Sequence, residues 1–103
     1  WWRRLRCPEI HDDRVAQKYL DTSVNVGRSA GTKILQRALR EVGQSVAVDG
    51  KIGPQTLTAT NRADPDTLLA AVRRIQAEHY RALIRRNPRL AKFERGWMTR
   101  AAF

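Results

Sequence analysis

Apolar residues recur along most of this 103-residue chain at the three- and four-residue spacing of an amphipathic helix, and strand-like alternation never lasts more than a few positions. The pattern predicts helices over residues 8–22, 30–42, 54–61 and 65–86, and a last helical segment over 90–98 that Gly96 interrupts. Residues 23–31, rich in Gly, Ser and Asn, are predicted to form a loop. Residues 45–48 are the only strand candidate.

Proline and glycine mark the ends of these helices. Proline suits the first helical position because its fixed φ matches the helix and its missing N–H is not needed there. Each of the four prolines follows a residue that can cap a helix or turn the chain, in the pairs Cys7-Pro8, Gly53-Pro54, Asp64-Pro65 and Asn87-Pro88. Gly43 is predicted to end the second helix. We therefore expect residues 1–103 to form one compact all-α domain of four to five helices.

The stretch 48–57, VDGKIGPQTL, specifies a tight turn leading into a helix. Asp49 can accept a hydrogen bond from the backbone two residues on, and Gly50 can take the positive φ that a sharp turn requires. Gly53 is the expected N-cap, with Pro54 at the first helical position. Turn chemistry alone accounts for these residues, so the stretch is predicted to be scaffold and binding is sought elsewhere.

The chain is strongly basic, with a formal net charge of +10 and an isoelectric point near 11.2. A field of one sign attracts polyanions, so nucleic acid, anionic lipid headgroups and anionic wall polymers are all candidate partners. From Arg62 onward, ten Lys or Arg residues stand against four acids. The alternative is an arginine-rich surface that is merely solvated.

The remaining composition limits the chemistry. The single cysteine, Cys7, excludes an intramolecular disulfide, and no metal-ligand cluster accompanies it. Nothing in the sequence implies a metal or an organic cofactor. The sequence has no apolar run of about 18 residues and no apolar signal-peptide region near its first residue. Neither the oligomeric state nor the route of any export follows from these observations.

Several separated motifs together resemble a known family. They are the run DTSVNVG at 21–27, the helix ILQRAL at 34–39, the turn at 48–57, the region of Tyr80 and the closing GWMTR at 96–100. In this order they resemble the C-terminal part of glycoside hydrolase family 108, N-acetylmuramidases related to secretion-activator proteins and phage endolysins. The later portion of these proteins is described as a predicted peptidoglycan-binding domain, and the resemblance covers nearly the whole chain.

The resemblance implies a lysozyme-like helical subdomain that holds peptidoglycan glycan strands at the bacterial cell wall or in the periplasm. The family hydrolyses the β-1,4 bond between N-acetylmuramic acid and N-acetylglucosamine, with its catalytic glutamate in a Glu-Gly-Gly segment upstream of the part that matches here. No Glu-Gly-Gly occurs in this sequence. We therefore expect a fragment of a larger muramidase domain, with no catalytic residue of its own and no activity alone.

Four residues are candidates for substrate binding: Asp21, Asn25, Tyr80 and Trp97. Asp21 and Asn25, four positions apart, either position a sugar or complete a hydrogen-bond network at a helix end. Tyr80 and Trp97 offer flat aromatic faces that suit pyranose rings, although aromatic residues at helical spacing are often core. His79, on the apolar line of the fourth helix, is predicted to be a structural histidine.

Two other functions fit part of the pattern. A basic helical nucleic-acid-binding protein would explain the charge, but the arginines are scattered over a long helix and the turn carries Gly50, Gly53 and Pro54, unlike a compact helix-turn-helix reader. The third possibility is an autonomous cell-wall-binding module. Binding to purified peptidoglycan, compared with salt-dependent binding to duplex DNA, separates these functions.

Overall fold

Five α-helices and two short 3-10 helices make up all the regular structure in the computed structural model, which describes residues 1–103. In chain order they are a 3-10 helix (Cys7–Glu9), α1 (Asp13–Val26), α2 (Arg28–Glu41), α3 (Pro54–Arg62), α4 (Pro65–Arg86), a second 3-10 helix (Pro88–Phe93) and α5 (Glu94–Ala102). The predicted all-α fold class is confirmed. None of these helices combines the length and apolar composition that crossing a membrane requires.

The long helix α4 lies at the centre of the fold, because α1, α2 and α5 all pack against it. Its apolar positions meet those of α1 and α2 in one core, whose most deeply buried members include Tyr19, Ile34, Leu35, Leu39 and Leu68. The radius of gyration is 13.1 Å, as expected for a single compact domain of this length.

The predicted helix starts at Pro54 and Pro65 and the predicted helix end near Gly43 are confirmed. Pro88 begins only a 3-10 helix, and Pro8 is the second residue of another. Asp64 is the N-cap of α4, and its carboxylate accepts a hydrogen bond from the backbone N–H of Thr67 at 3.0 Å. Gly43, with a φ of 96°, follows the end of α2.

The predicted ends of the first helix, and the loop after it, were wrong. The helix does not begin at Pro8, because Asp12 caps it by accepting a hydrogen bond from the backbone N–H of Val15 at 3.1 Å. It continues to Val26, so Gly27 alone separates α1 from α2. The small and polar residues that suggested a loop instead allow the two helices to approach closely, and tertiary packing outweighs their low helix propensity.

Two further predictions fail for related reasons. Residues 45–48 form no strand, because an all-helical fold offers this segment no partner strand to bond with. Gly96 does not interrupt the last helix and lies within α5. An exposed glycine costs a helix only about 1 kcal/mol, and the packing of α5 on α4 outweighs that.

Candidate functional site

The four predicted binding residues lie on three helices that meet at one face of the molecule. Asp21 and Asn25 are on the last two turns of α1, Tyr80 is on α4 and Trp97 is on α5. Arg100 joins them, because its Nη1 donates to Asp21 Oδ1 at 3.2 Å, a contact that connects α5 to α1. We call this region the α1–α4–α5 face.

Asp21 and Asn25 form part of a hydrogen-bond network at the end of α1. The Asn25 side-chain amide donates to the backbone carbonyl of Asp21 at 2.7 Å. The other carboxylate oxygen of Asp21, Oδ2, is buried and has no hydrogen-bond partner within the protein. A buried carboxylate oxygen normally has a partner, so this atom has acceptor capacity that the protein leaves unused.

Tyr80 lies beneath this face. It is 2% exposed, and its hydroxyl accepts a hydrogen bond from Gln76 Nε2 at 3.0 Å. Gln76 in turn accepts one from the Thr22 hydroxyl at 3.1 Å, so a buried polar chain connects α1 to α4. Burial raises the pKa of the Tyr80 hydroxyl, and the nearby Asp21 charge acts in the same direction. Any stacking of a sugar directly on Tyr80 requires Trp97 to move, because the two rings are stacked on each other.

Three aromatic rings stand in sequence on this face, and we call Tyr80, Trp97 and Phe93 the aromatic row. The Tyr80 and Trp97 ring centroids are 5.0 Å apart with an interplanar angle of 22°, and those of Phe93 and Trp97 are 5.6 Å apart at 25°. Trp97 is half-buried, whereas Phe93 is 45% exposed. Sequence reasoning missed Phe93 as a binding candidate, although it stands one helical turn before Trp97.

Lys18 holds α5 against α1 and was also missed. It is 2% exposed, and its Nζ donates to the backbone carbonyls of Arg100 and Ala101, both at 3.1 Å. Burial lowers the pKa of the Lys18 ammonium to about 8, while Asp21 opposes that shift. The signal in the sequence was a lysine among the core-facing residues of α1, a position where an amine needs acceptors.

The turn at 48–57 is anchored by Gln36 of α2. The Gln36 Nε2 lies within hydrogen-bond distance of Asp49 Oδ1, the Lys51 carbonyl and the Thr56 hydroxyl, and its Oε1 accepts from the backbone N–H groups of Asp49 and Gly50. Asp49 also accepts from the Lys51 N–H at 2.9 Å, and Gly50 has a φ of 76°. These contacts agree with a scaffold role for the turn.

A separate basic surface lies between α2 and the second half of α4. Four arginines, Arg37, Arg40, Arg85 and Arg86, line a cleft of 840 Å³ together with His79, and we call it the arginine cleft. Burial lowers the pKa of His79, and the charges of Arg37 and Arg86 lower it further. His79 is half-buried and lies at the wall of this cleft. None of the four predicted binding residues lines this cleft.

The chain is therefore an all-helical, strongly basic domain with an aromatic face and an arginine-lined cleft, and it offers no group of three His, Cys, Asp or Glu side chains able to hold a metal ion. Residues 30–102 match the family described as the predicted peptidoglycan domain, and the chain belongs to that family. This membership supports peptidoglycan as its partner. No curated protein and no solved structure matches the chain. The matched region contains Tyr80, Trp97 and the arginine cleft, whereas Asp21 and Asn25 precede it.

Proposed function

We propose that this chain is the peptidoglycan-binding portion of a wall-lytic N-acetylmuramidase of the glycoside hydrolase family 108 type. It holds a glycan strand on the α1–α4–α5 face, and the catalytic carboxyl group comes from outside these residues. The observation that carries the binding part is the convergence of an aromatic row with a carboxylate whose Oδ2 has no partner, on one face of a domain from a peptidoglycan family.

The chemistry of this face suits an amino sugar. The apolar face of a pyranose ring stacks on an exposed aromatic ring, and Phe93 and the accessible part of Trp97 provide such surfaces. Sugar hydroxyl and acetamido N–H groups donate hydrogen bonds, which the free Oδ2 of Asp21 accepts if the side chain turns toward the ligand. Arg100 holds the other oxygen of that carboxylate and so limits its rotation.

Five of the ten carboxylates of this chain are poor candidates for a general acid. Protonating a glycosidic oxygen requires a carboxyl group whose pKa is raised. Hydrogen bonds from arginine side chains lower the pKa of Glu9 and Glu41 instead. Hydrogen bonds from backbone N–H groups lower the pKa of Asp12, Asp49 and Asp64. These five carboxylates therefore stay ionised and serve as caps, turn residues and ion-pair partners.

Binding to purified peptidoglycan sacculi tests the first part of the proposal. The Trp97→Ala variant is expected to bind at least roughly tenfold more weakly, because truncating a central aromatic contact removes much of the binding energy. Phe93→Ala is a second test that avoids the core, since Phe93 is exposed and lies outside the buried cluster. Trp1→Ala is the matched control, because Trp1 is exposed and stacks on no other ring.

Equal binding by Phe93→Ala, Trp97→Ala and Trp1→Ala, with all three folded by circular dichroism, would remove the α1–α4–α5 face as the glycan site. Failure of the unaltered chain to bind sacculi at all, together with tight and salt-sensitive binding to duplex DNA, would favour the nucleic-acid alternative.

The muramidase part needs a different test. The chain alone is expected to release no reducing sugar from sacculi that it binds. The coding sequence upstream of Trp1 provides the second readout, because a Glu-Gly-Gly segment within several dozen residues supports the proposal. A start codon directly before Trp1 would overturn it and leave the autonomous wall-binding module.

A further inference from the structure

The arginine cleft carries unpaired positive charge. Its two acidic residues, Glu41 and Glu78, both pair with Arg74, and the second of these ion pairs spans 3.5 Å. Arg37, Arg40, Arg85 and Arg86 take part in no ion pair. Arg74 balances one of these two negative charges, so the four arginines of the cleft still outnumber the remaining acid and stay free to meet an anion.

The ends of the helices explain only part of this arrangement. Arg40 lies in the last turn of α2, and Arg85 and Arg86 lie in the last turn of α4, where the helix dipole favours cations. Arg37 lies one turn earlier and faces the same cleft, and its charge acts on His79 together with that of Arg86. Like charges converging from two helices destabilise the fold unless an anion occupies the space between them.

The shape of the cleft favours a small ligand over a duplex. Its volume of 840 Å³ lies within the range of pockets that take small molecules, about 300–1,000 Å³. A protein that reads duplex DNA inserts a protruding helix or ribbon into a groove, which a recess cannot do. Ile75, Ala82 and Leu83 add an apolar part to the lining that suits aliphatic side chains.

We propose that the arginine cleft binds the free carboxylates of peptidoglycan stem peptides while the aromatic row binds the glycan strand. This inference rests on the proposed function and assigns a second subsite to it. Guanidinium groups match carboxylates in two-point geometry, and peptidoglycan peptides carry several free carboxylates on short, largely aliphatic residues.

The two surfaces adjoin each other along α4, which favours one composite ligand. His79 lines the cleft and Tyr80 begins the aromatic row, and their rings meet edge to face with centroids 6.0 Å apart. Consecutive residues of a helix point about 100° apart. A ligand that branches, with a sugar chain in one direction and a peptide in another, fits two surfaces related in this way.

The test compares two double variants with the same change of charge. Arg37→Gln with Arg86→Gln removes two cleft arginines, and Arg81→Gln with Arg89→Gln removes two exposed arginines that line no part of the cleft. The probes are a disaccharide-peptide muropeptide, the same molecule with its carboxylates amidated, and glycan strands stripped of peptide by an amidase. All the substituted side chains are exposed, so thermal unfolding is expected to show both variants folded.

The cleft variant is expected to bind the muropeptide at least roughly tenfold more weakly than the control variant, and to bind stripped glycan as well as the control does. The unaltered chain is expected to prefer the muropeptide to its amidated form.

Equal loss in the two variants, or no preference between the two muropeptides, overturns the inference while leaving the glycan site intact. Loss of duplex DNA binding confined to the cleft variant, without loss of muropeptide binding, overturns it in favour of phosphate recognition. Failure of the unaltered chain to bind even stripped glycan counts against the proposed function itself.

Discussion

The side chain of Gln36 fixes the conformation of a turn that lies more than ten residues away in sequence. It is 1% exposed and makes five hydrogen-bond contacts with residues of the segment 49–56. A buried amide contributes most when both its donor and acceptor groups are satisfied, because any unsatisfied partner keeps its full desolvation cost. Gln36 therefore helps to orient the loop between α2 and α3.

Replacing Gln36 by Leu is expected to lower the free energy of unfolding by about 2 kcal/mol or more, because the volume is nearly kept while the turn loses its buried partners. Chemical denaturation measures this loss. Amide hydrogen exchange at Gly50, whose N–H donates to Gln36, should also become faster. Gln55→Ala changes an exposed glutamine close by and should stay within about 0.5 kcal/mol of the original. Equal effects of the two substitutions would contradict the anchoring role.

The conformation of this turn was predictable from its own residues, whereas its contact with Gln36 was not. Asp49 and Gly50 behave as the sequence indicates, because their geometry depends on neighbours one or two positions away. The role of Gln36 depends on a contact across 13 to 20 positions. The same limit applies to the candidate binding site, where Asp21, Tyr80 and Trp97 were identified singly. Neither the contact of Asp21 with Arg100 nor the stacking of Tyr80 on Trp97 could be foreseen.

At the scale of helices, α1 and α2 approach each other closely at Ser23 and Gly31. A Cβ added at Gly31 would lie 2.3 Å from the Ser23 hydroxyl oxygen and 2.7 Å from the Ser23 Cα. Two helices that cross this closely need a small residue at the contact, and the backbone atom cannot move aside alone. This contact explains why a segment that looked like a loop in the sequence is helical on both sides of Gly27.

Gly31→Ala is therefore expected to destabilise the protein by roughly 1–3 kcal/mol, the usual cost of overpacking. Gly96→Ala is the matched comparison, since Gly96 also lies in a helix but nothing lies near its added Cβ. That substitution should stabilise the protein by up to about 1 kcal/mol, because alanine favours the helix. Thermal unfolding of both variants measures the two changes in stability. A Gly31→Ala variant that is more stable than the original would contradict the close approach of α1 and α2.

The attachment of α5 depends on a buried amine, which makes stability depend on pH. Lys18 has a pKa of about 8 in the folded protein against an ordinary value of 10.5. The unfolded chain thus binds more protons between these values, and stability rises with pH across that window. Below pH 8 the folded state carries the full cost of the buried charge, on the order of 3 kcal/mol.

The measurement is the difference in unfolding free energy between the original chain and Lys18→Met, followed from pH 7 to pH 10.5. The original should gain relative to the variant as pH rises through 8. Burial raises the pKa of Cys7 to about 11, which makes stability fall as pH rises and so opposes the effect of Lys18. Because Cys7 is present in both the original chain and the variant, taking the difference removes its contribution. Lys33→Met, which removes an exposed lysine, is the matched control. A flat Lys18→Met difference would show that the amine carries no buried charge.

Which helices form was predictable from periodicity, proline and glycine, whereas their exact limits were not. α2, α3 and α4 lie close to the predicted ranges, because their caps and apolar lines are local signals. The start of α1 was misplaced because both Pro8 and Asp12 can begin a helix, and only the packing of Leu5, Cys7 and Ile10 into the core decides between them. Gly96 was wrongly predicted to interrupt the last helix, because the sequence does not show that α5 packs against α4.

At the scale of the whole molecule, charge opposes folding and favours binding. Of 20 Lys and Arg residues, only Arg6, Arg14, Arg74 and Arg100 form ion pairs, so 16 positive side chains are unpaired around a domain with a net charge of +10. Unpaired like charges repel each other across a compact surface and attract an anionic polymer. Salt shortens the range of both effects, from about 30 Å at 0.01 M to about 3 Å at 1 M.

Stability and wall binding are therefore expected to respond to salt in opposite directions. The unfolding temperature should rise with sodium chloride as repulsion is screened, while affinity for sacculi falls. The variant carrying Arg37→Gln and Arg86→Gln loses two of the crowded charges, so it should unfold at a higher temperature than the original at low salt and gain less from added salt. At low salt, the variant carrying Arg81→Gln and Arg89→Gln should gain less stability than the variant carrying Arg37→Gln and Arg86→Gln. The two charges that it removes do not lie in the cleft. An unfolding temperature that falls with added salt would mean that the few ion pairs outweigh the repulsion, and the arginine cleft would then need no anion to relieve it.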